Sequence, residues 1–170
     1  MADTLKWRVA AILILALILN LNGVKASEEV MKKMSKTFFK VMDECKKELS
    51  ISNDMVQSLV KFWGEGSDHE DRELGCMILC MAHKQDLLHY EQYRLHHQNA
   101  YQFAKDHGAD EATAKQIMTI VHECEEKFAT NEDHCARAME VSRCFRDHMH
   151  RLQWAPSVDV LVGEILVEMA

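Results

Sequence analysis

Residues 71–84 read DRELGCMILCMAHK, and the two cysteines in that stretch decide the fold. The stretch reads as a helix, with Cys76 and Cys80 at i and i+4 on one face. Their Cβ vectors run nearly parallel in a helix, so a bond between them is awkward. Each is therefore expected to bond a different partner, tying this helix to two others. The chain holds six cysteines, which permit 15 connectivities, and spacing alone does not choose among them.

Helical spacing continues on both sides. Upstream, Met34, Phe38, Val41, Cys45 and Leu49 predict an amphipathic first helix or a bent pair. Ser52-Asn53-Asp54 caps a short helix through Phe62, which Gly64 and Gly66 end. Downstream, His89–Arg94 reads as a polar, tyrosine-containing loop. A short helix from His97 to about Asp106 is closed by Gly108. Asp110 opens a longer one with Ala114, Ile117, Val121 and Cys124 on one face. Asn131-Glu132-Asp133 caps another, which carries Cys135, Met139, Ser142, Phe145 and Met149 as a stripe. No stretch alternates as a strand does, nothing repeats, and Pro156 is the one proline. An all-α domain follows.

Met1–Ala26 reads as a secretory signal peptide. Lys6 and Arg8 form its basic start, Val9–Leu19 its apolar core, and Val24 and Ala26 the small residues before cleavage. That core is too short for a stable bilayer anchor. The binding domain is then 27–170. Losing Lys6, Arg8, Lys25 and Asp3 takes the net charge from −7 to −9. So acidic a chain is a poor partner for nucleic acid or an anionic membrane. A secreted chain with six cysteines argues for three disulfides. All ten histidines follow Ala26, so the charge should change steeply just below neutrality.

Other uses of these residues are weaker. Cys76-x3-Cys80 lacks the two-residue gap of zinc ribbons. His148-x-His150 and His96-His97 read as solvated, so no metal is expected. No nucleophile elbow, HExxH or phosphate loop is present, and the cysteines are committed to bridges; neither catalysis nor a cofactor is expected. The apolar inventory points elsewhere. Ten methionines after Ala26 suit a surface that accepts varied apolar shapes, although they also serve to fill a core. The tail SVDVLVGEILVEMA, residues 157–170, is apolar apart from Ser157, Asp159, Glu164 and Glu168. Chain ends are usually polar and frayed, so this one should dock, either as a permanent last core helix or conditionally.

The full cysteine pattern is Cys45-x30-Cys76-x3-Cys80-x43-Cys124-x10-Cys135-x8-Cys144. It resembles the six-cysteine signature of insect odorant-binding proteins, for which the x3 and x8 gaps are diagnostic. Longer strings resemble the pheromone-binding subgroup of moths: SEEVMKKMSKTF (27–38), KFWGEG (61–66), RELGC (72–76), LHHQNAYQFAKDHGADE (95–111), IVHECE (120–125) and LQWAPSVDVLVGEILVEM (152–169). The resemblance implies six or seven helices around a buried apolar cavity. It implies the bridges Cys45–Cys80, Cys76–Cys135 and Cys124–Cys144. It also implies a ligand wall of Met31, Ser35, Phe38, Phe62, Trp63, Ile78, Ala82, Leu88, Phe103, Met118, Val121, Val141 and Phe145, with Phe38 and Phe145 sandwiching the ligand. Two positions depart from the subgroup. Ala82 stands where many relatives have a serine that holds the ligand's polar head, leaving Ser35 or Arg137 to supply a contact. HYEQYR at 89–94 replaces a shorter Asp-Pro-Glu-Gly-type turn at the cavity mouth.

The implied function is a carrier that takes a long-chain volatile (an alcohol, aldehyde or acetate) through sensillar lymph to an olfactory-receptor membrane. A general odorant carrier of the same fold is the alternative. Relatives release ligand in acid as the tail, here 157–170, folds and enters the cavity. Protonating Asp159, Glu164 and Glu168 would remove the cost of burying that tail. Charging His96, His97 and His122 would push the mouth apart. A weak, pH-dependent homodimer is also expected.

Overall fold

A computed structural model describes residues 2–52, 54–64, 71–89, 91–159 and 161–163. The helices with defined bounds among the described residues run in chain order: α1 Ala2–Lys40, α2 Met42–Leu49, α3 Asp54–Phe62, α4 Arg72–Lys84, α5 His97–Asp106, α6 Glu111–Lys127 and α7 His134–Arg151. The amphipathic first segment is a bent pair, broken at Val41. Short polar side chains set the helix starts. Asp71, Asp110 and Asp133 each accept backbone N–H groups from the first turns of α4, α6 and α7, satisfying donors that a helix start leaves orphaned. Of the cap candidates Asn131, Glu132 and Asp133, it is Asp133 that does this. At the opposite end of α2, Ser50 closes the helix in the left-handed conformation.

The three bridges are Cys45–Cys80, Cys76–Cys135 and Cys124–Cys144. Cys76 and Cys80 thus tie α4 to α7 and to α2, as their shared face requires. α4 packs most extensively on α7. The two helices approach closest at Gly75, where a Cβ would lie 2.0 Å from the carbonyl oxygen of Cys135.

The loop expected at 89–94 contains a short antiparallel hairpin. β1 (Leu88–His89) pairs with β2 (Arg94–Leu95), Leu88 opposite Leu95 and His89 opposite Arg94. Two residues per strand are too few to show alternation in sequence.

Among the described residues, apolar side chains gather in three clusters. One centres on Met42, Cys45, Leu74, Met77 and Met81, a second on Met31, Ile117, Cys124 and Met149, and a small third on Ala82, Leu87 and Ala100. Among the described side chains of α1, Ser27 is the first that is buried. Before that, Leu5, Trp7, Ile12, Leu13 and Leu17 are well exposed, up to 79 % at Trp7. Among the described residues, no helix is long and apolar enough to cross a membrane. Beyond Trp154, residues 158–159 and 161–163 are helical. Leu161 is fully buried in the first cluster, with Phe39, Met42 and Leu59 among its members.

Candidate functional site

The clusters do not close on one another. Between them lies a cavity of about 240 Å³, where one water needs roughly 10–15 Å³. All thirteen expected wall residues border it. Helical spacing explains how. Met31, Ser35 and Phe38 share one face of α1, Ile78 and Ala82 are one turn apart on α4, as are Val141 and Phe145 on α7, while Met118 and Val121 are neighbours on α6. Phe62 ends α3 and Trp63 follows it. Phe103 comes from α5 and Leu88 from the hairpin. Phe38 meets Phe103 edge to face, ring centroids 5.8 Å apart.

Polar groups behind the wall hold it in place. Arg146 is buried at 3 % exposure. Its Nη1 donates to the carbonyl of Phe62 at 3.0 Å, its guanidinium lies over the Phe62 ring, and Asp147 accepts from it at 2.8 Å. One turn on, His150 Nε2 donates to the carbonyl of Trp63 at 2.8 Å. α7 therefore pins the end of α3 by its backbone, leaving both aromatic rings to face the cavity. On the other side, His107 bonds the carbonyl of Phe103 at 2.6 Å and the hydroxyl of Thr37 at 2.7 Å. That joins α1 to α5 beside the Phe38–Phe103 contact. Near the Cys124–Cys144 bridge, burial pushes the imidazole of His148 below its ordinary range, and the Arg151 charge adds to this.

Leu88, Tyr93, Arg94 and Leu95 of the hairpin border the cavity, and the hairpin is latched from two helices. Glu125 of α6 accepts the Leu95 amide at 2.7 Å and pairs with His97 Nε2 at 3.0 Å. Arg94 pairs with Glu126 at 3.3 Å. From α7, Arg137 donates to the carbonyls of Gln92 and Asn131, each at 3.1 Å. Tyr93, at φ +49°, is held in the left-handed region, a strain the latch must offset.

The match to known proteins covers this framework. Residues 27–148 match the PBP/GOBP family. The chain belongs to that family. Pheromone-binding protein 2 of Epiphyas postvittana is 37% identical over 147 residues, 86% of this chain and 88% of that one. General odorant-binding protein 1 of Bombyx mori is 30% identical over 162 residues, 95% and 96% of the two chains. The crystal structure of pheromone-binding protein 3 of Epiphyas postvittana matches with a TM-score of 0.63 and 41% identity, covering 68% of this chain and 98% of that one. A member of the PBP/GOBP family is a binding protein and not an enzyme.

Within this PBP/GOBP fold the polar residues fall differently from the sequence expectation. Ser35 borders the cavity, and so does Ser142, which the sequence placed only in a core stripe. Arg137 also borders it, with its guanidinium engaged in the latch. His96 caps α5 through Nδ1 and stacks on His89 at 4.3 Å. His97 and His122 meet edge to face at 5.3 Å. His97, expected to help push the mouth apart, faces the Glu125 carboxylate at 3.0 Å. His89, Glu125 and the Arg137 latch went unassigned in sequence, since their partners lie across the fold at no recurring spacing. Asp159 is exposed, while Glu164 and Glu168 lie outside the described residues. None of the described tail residues borders the cavity.

Proposed function

We propose that this PBP/GOBP-family protein is a secreted carrier for one long-chain apolar volatile with an alcohol, aldehyde or acetate head, delivered through sensillar lymph to an olfactory-receptor membrane. The observation that carries the reading is the apolar cavity walled by methionines and aromatics. Burying about 15 methylene-like groups at roughly 0.8 kcal/mol each gives about 12 kcal/mol gross. Association costs of about 4 kcal/mol or more come off that, which leaves micromolar or tighter binding without a strong polar contact. Ala82 offers no hydroxyl; Ser35 and Ser142 border the cavity, which supports a role for them in meeting a head group. The exposure of the apolar start of α1 supports its removal as a signal peptide, because a folded soluble protein rarely leaves so large an apolar patch bare.

Release in acid belongs to the same reading. Charging stacked His89 and His96 sets like charges against each other beside the hairpin. The tail competes for the cavity once its carboxylates are protonated. The test is a fluorescent apolar probe, displaced by matched alcohols, aldehydes and acetates, at pH 7 and pH 5. The parent should bind stoichiometrically at pH 7 and lose the probe at pH 5. Deleting Val158–Ala170 should restore binding in acid. If no apolar probe binds at pH 7, the carrier reading fails; if the deletion still releases at pH 5, the tail does not compete.

A further inference from the structure

His97 opens α5, and His122 and Glu125 sit one turn apart on α6. By resemblance the sequence sets His97 and His122 at the cavity opening; it does not single out Glu125, and no metal is expected from it at His96-His97. The fold brings the three together, so that one ligand atom from each lies within 4.8 Å of the others. We propose that His97, His122 and Glu125 form a binding site for a divalent transition metal of the zinc class at the cavity mouth.

The chemistry and geometry agree. Two imidazoles and one carboxylate suit zinc, whereas calcium and magnesium seek oxygen-only sets. Zinc holds such ligands at about 2.0–2.2 Å, which sets them roughly 3.4 Å apart around a tetrahedral ion. His97 Nε2 and the Glu125 carboxylate are already 3.0 Å apart. The two histidines are exposed, so their rings turn freely through the remaining ångström or so. Water fills the fourth position from the solvent side. The second oxygen of Glu125 accepts the Leu95 amide at 2.7 Å, the kind of outer bond that orients a ligating carboxylate. A bound ion therefore joins the start of α5 to α6 at the residue that also latches the hairpin, and holds the mouth closed. This site is independent of the carrier reading, because it needs no occupant in the cavity.

Calorimetric titration of the chelator-stripped protein with zinc chloride near neutral pH tests it. One equivalent should bind. His122→Ala and Glu125→Gln should each weaken that binding tenfold or more, while His83→Ala on α4 should leave it unchanged. Glu125→Gln keeps an acceptor for the Leu95 amide, so it removes the ligand and spares the latch. It decides the matter should His122→Ala lose its helical circular dichroism. Zinc should also slow hydrogen exchange at the Leu95 amide in the parent and not in Glu125→Gln. The proposal is overturned if the parent takes up no zinc, or if Glu125→Gln binds it as tightly as the parent.

Discussion

Gly75→Ala is the most informative single change to the scaffold. In an unobstructed helix it would be stabilising, since alanine is favoured over glycine by about 1 kcal/mol. Here the new methyl would sit 2.0 Å from the carbonyl oxygen of Cys135, 2.9 Å from its carbonyl carbon and 3.1 Å from the Met139 Cβ. Two of those atoms are backbone and cannot rotate away. α4 and α7 would have to part by more than an ångström, yet Cys76 is bonded to Cys135 at the same level. Overpacking of this kind costs typically 1–3 kcal/mol and sometimes more. A backbone contact at 2.0 Å belongs at the upper end of that range, so against the propensity gain the net loss is about 2 kcal/mol, or roughly 4–8 °C in Tm. The effect should reach the cavity too, because Ile78 and Ala82 on α4 face Val141 and Phe145 on α7 across it. Thermal unfolding followed by circular dichroism with the bridges intact measures the first effect, and probe titration the second. Gly163→Ala, where a Cβ would meet nothing, is the control and should be neutral or mildly stabilising. A Gly75→Ala protein as stable as the parent, with unchanged probe affinity, would refute the close-approach argument.

Phe38→Ala and Phe145→Ala should each weaken a long-chain probe by about 1–2 kcal/mol, roughly 5- to 30-fold; equal affinity in both variants would remove these rings from the wall. Glu125→Ala takes away the acceptor for the Leu95 amide and the partner of His97, so stopped-flow release of the probe should quicken about tenfold, as a lost bond to a charged group of about 1.5 kcal/mol implies. Acid below the carboxylate range should loosen the start of α7. The bond from Arg72 and the Ala136 amide hold Asp133 below its usual value, so its contribution is present above the unfolded value and fades as pH falls through the folded one. Asp133→Asn should flatten the pH dependence of stability between pH 4 and pH 2, and an unchanged slope there would show that the pair contributes nothing.

How far the fold could be read ahead of the structure depended on whether a feature has a period. Cys76 and Cys80 lie one helical turn apart, and that interval alone required α4 to face two partners. The aspartates at 71, 110 and 133 announce helix starts because a cap acts on its own next turn. Which cysteine bonds which came from resemblance, as did the wall residues, since many apolar stripes fit a helix period equally well. Gly75 carries no local sign of the carbonyl it accommodates. The hairpin at 88–95 is too short to alternate. Glu125, Arg146 and His150 act on residues 28, 84 and 87 positions away, where no spacing rule reaches. Leu161 looked like any residue of an apolar tail until its burial showed where it docks.

Those long-range ties explain how a hollow molecule stays ordered. A cavity of about 240 Å³ forgoes packing that, at about 24 cal/mol per Å³, amounts to roughly 6 kcal/mol. The bridges span 20, 35 and 59 residues, and each offsets about 3–4 kcal/mol through the unfolded chain. Two of them balance the missing packing. Stability alone does not keep a wall in shape, because side chains around a void can collapse into it. Arg146 and His150 hold α3 by its carbonyls, and His107 holds Phe103 by its carbonyl, so the backbone behind the aromatic wall is fixed from outside the cavity. Those bonds leave the side chains facing the void untied, and the methionines among them are flexible enough to adapt. Such a wall resists closing when empty and still adapts when filled. The hairpin is held differently, by the Leu95 amide bond to Glu125, the Arg94–Glu126 pair and the Arg137 bond to the Gln92 carbonyl.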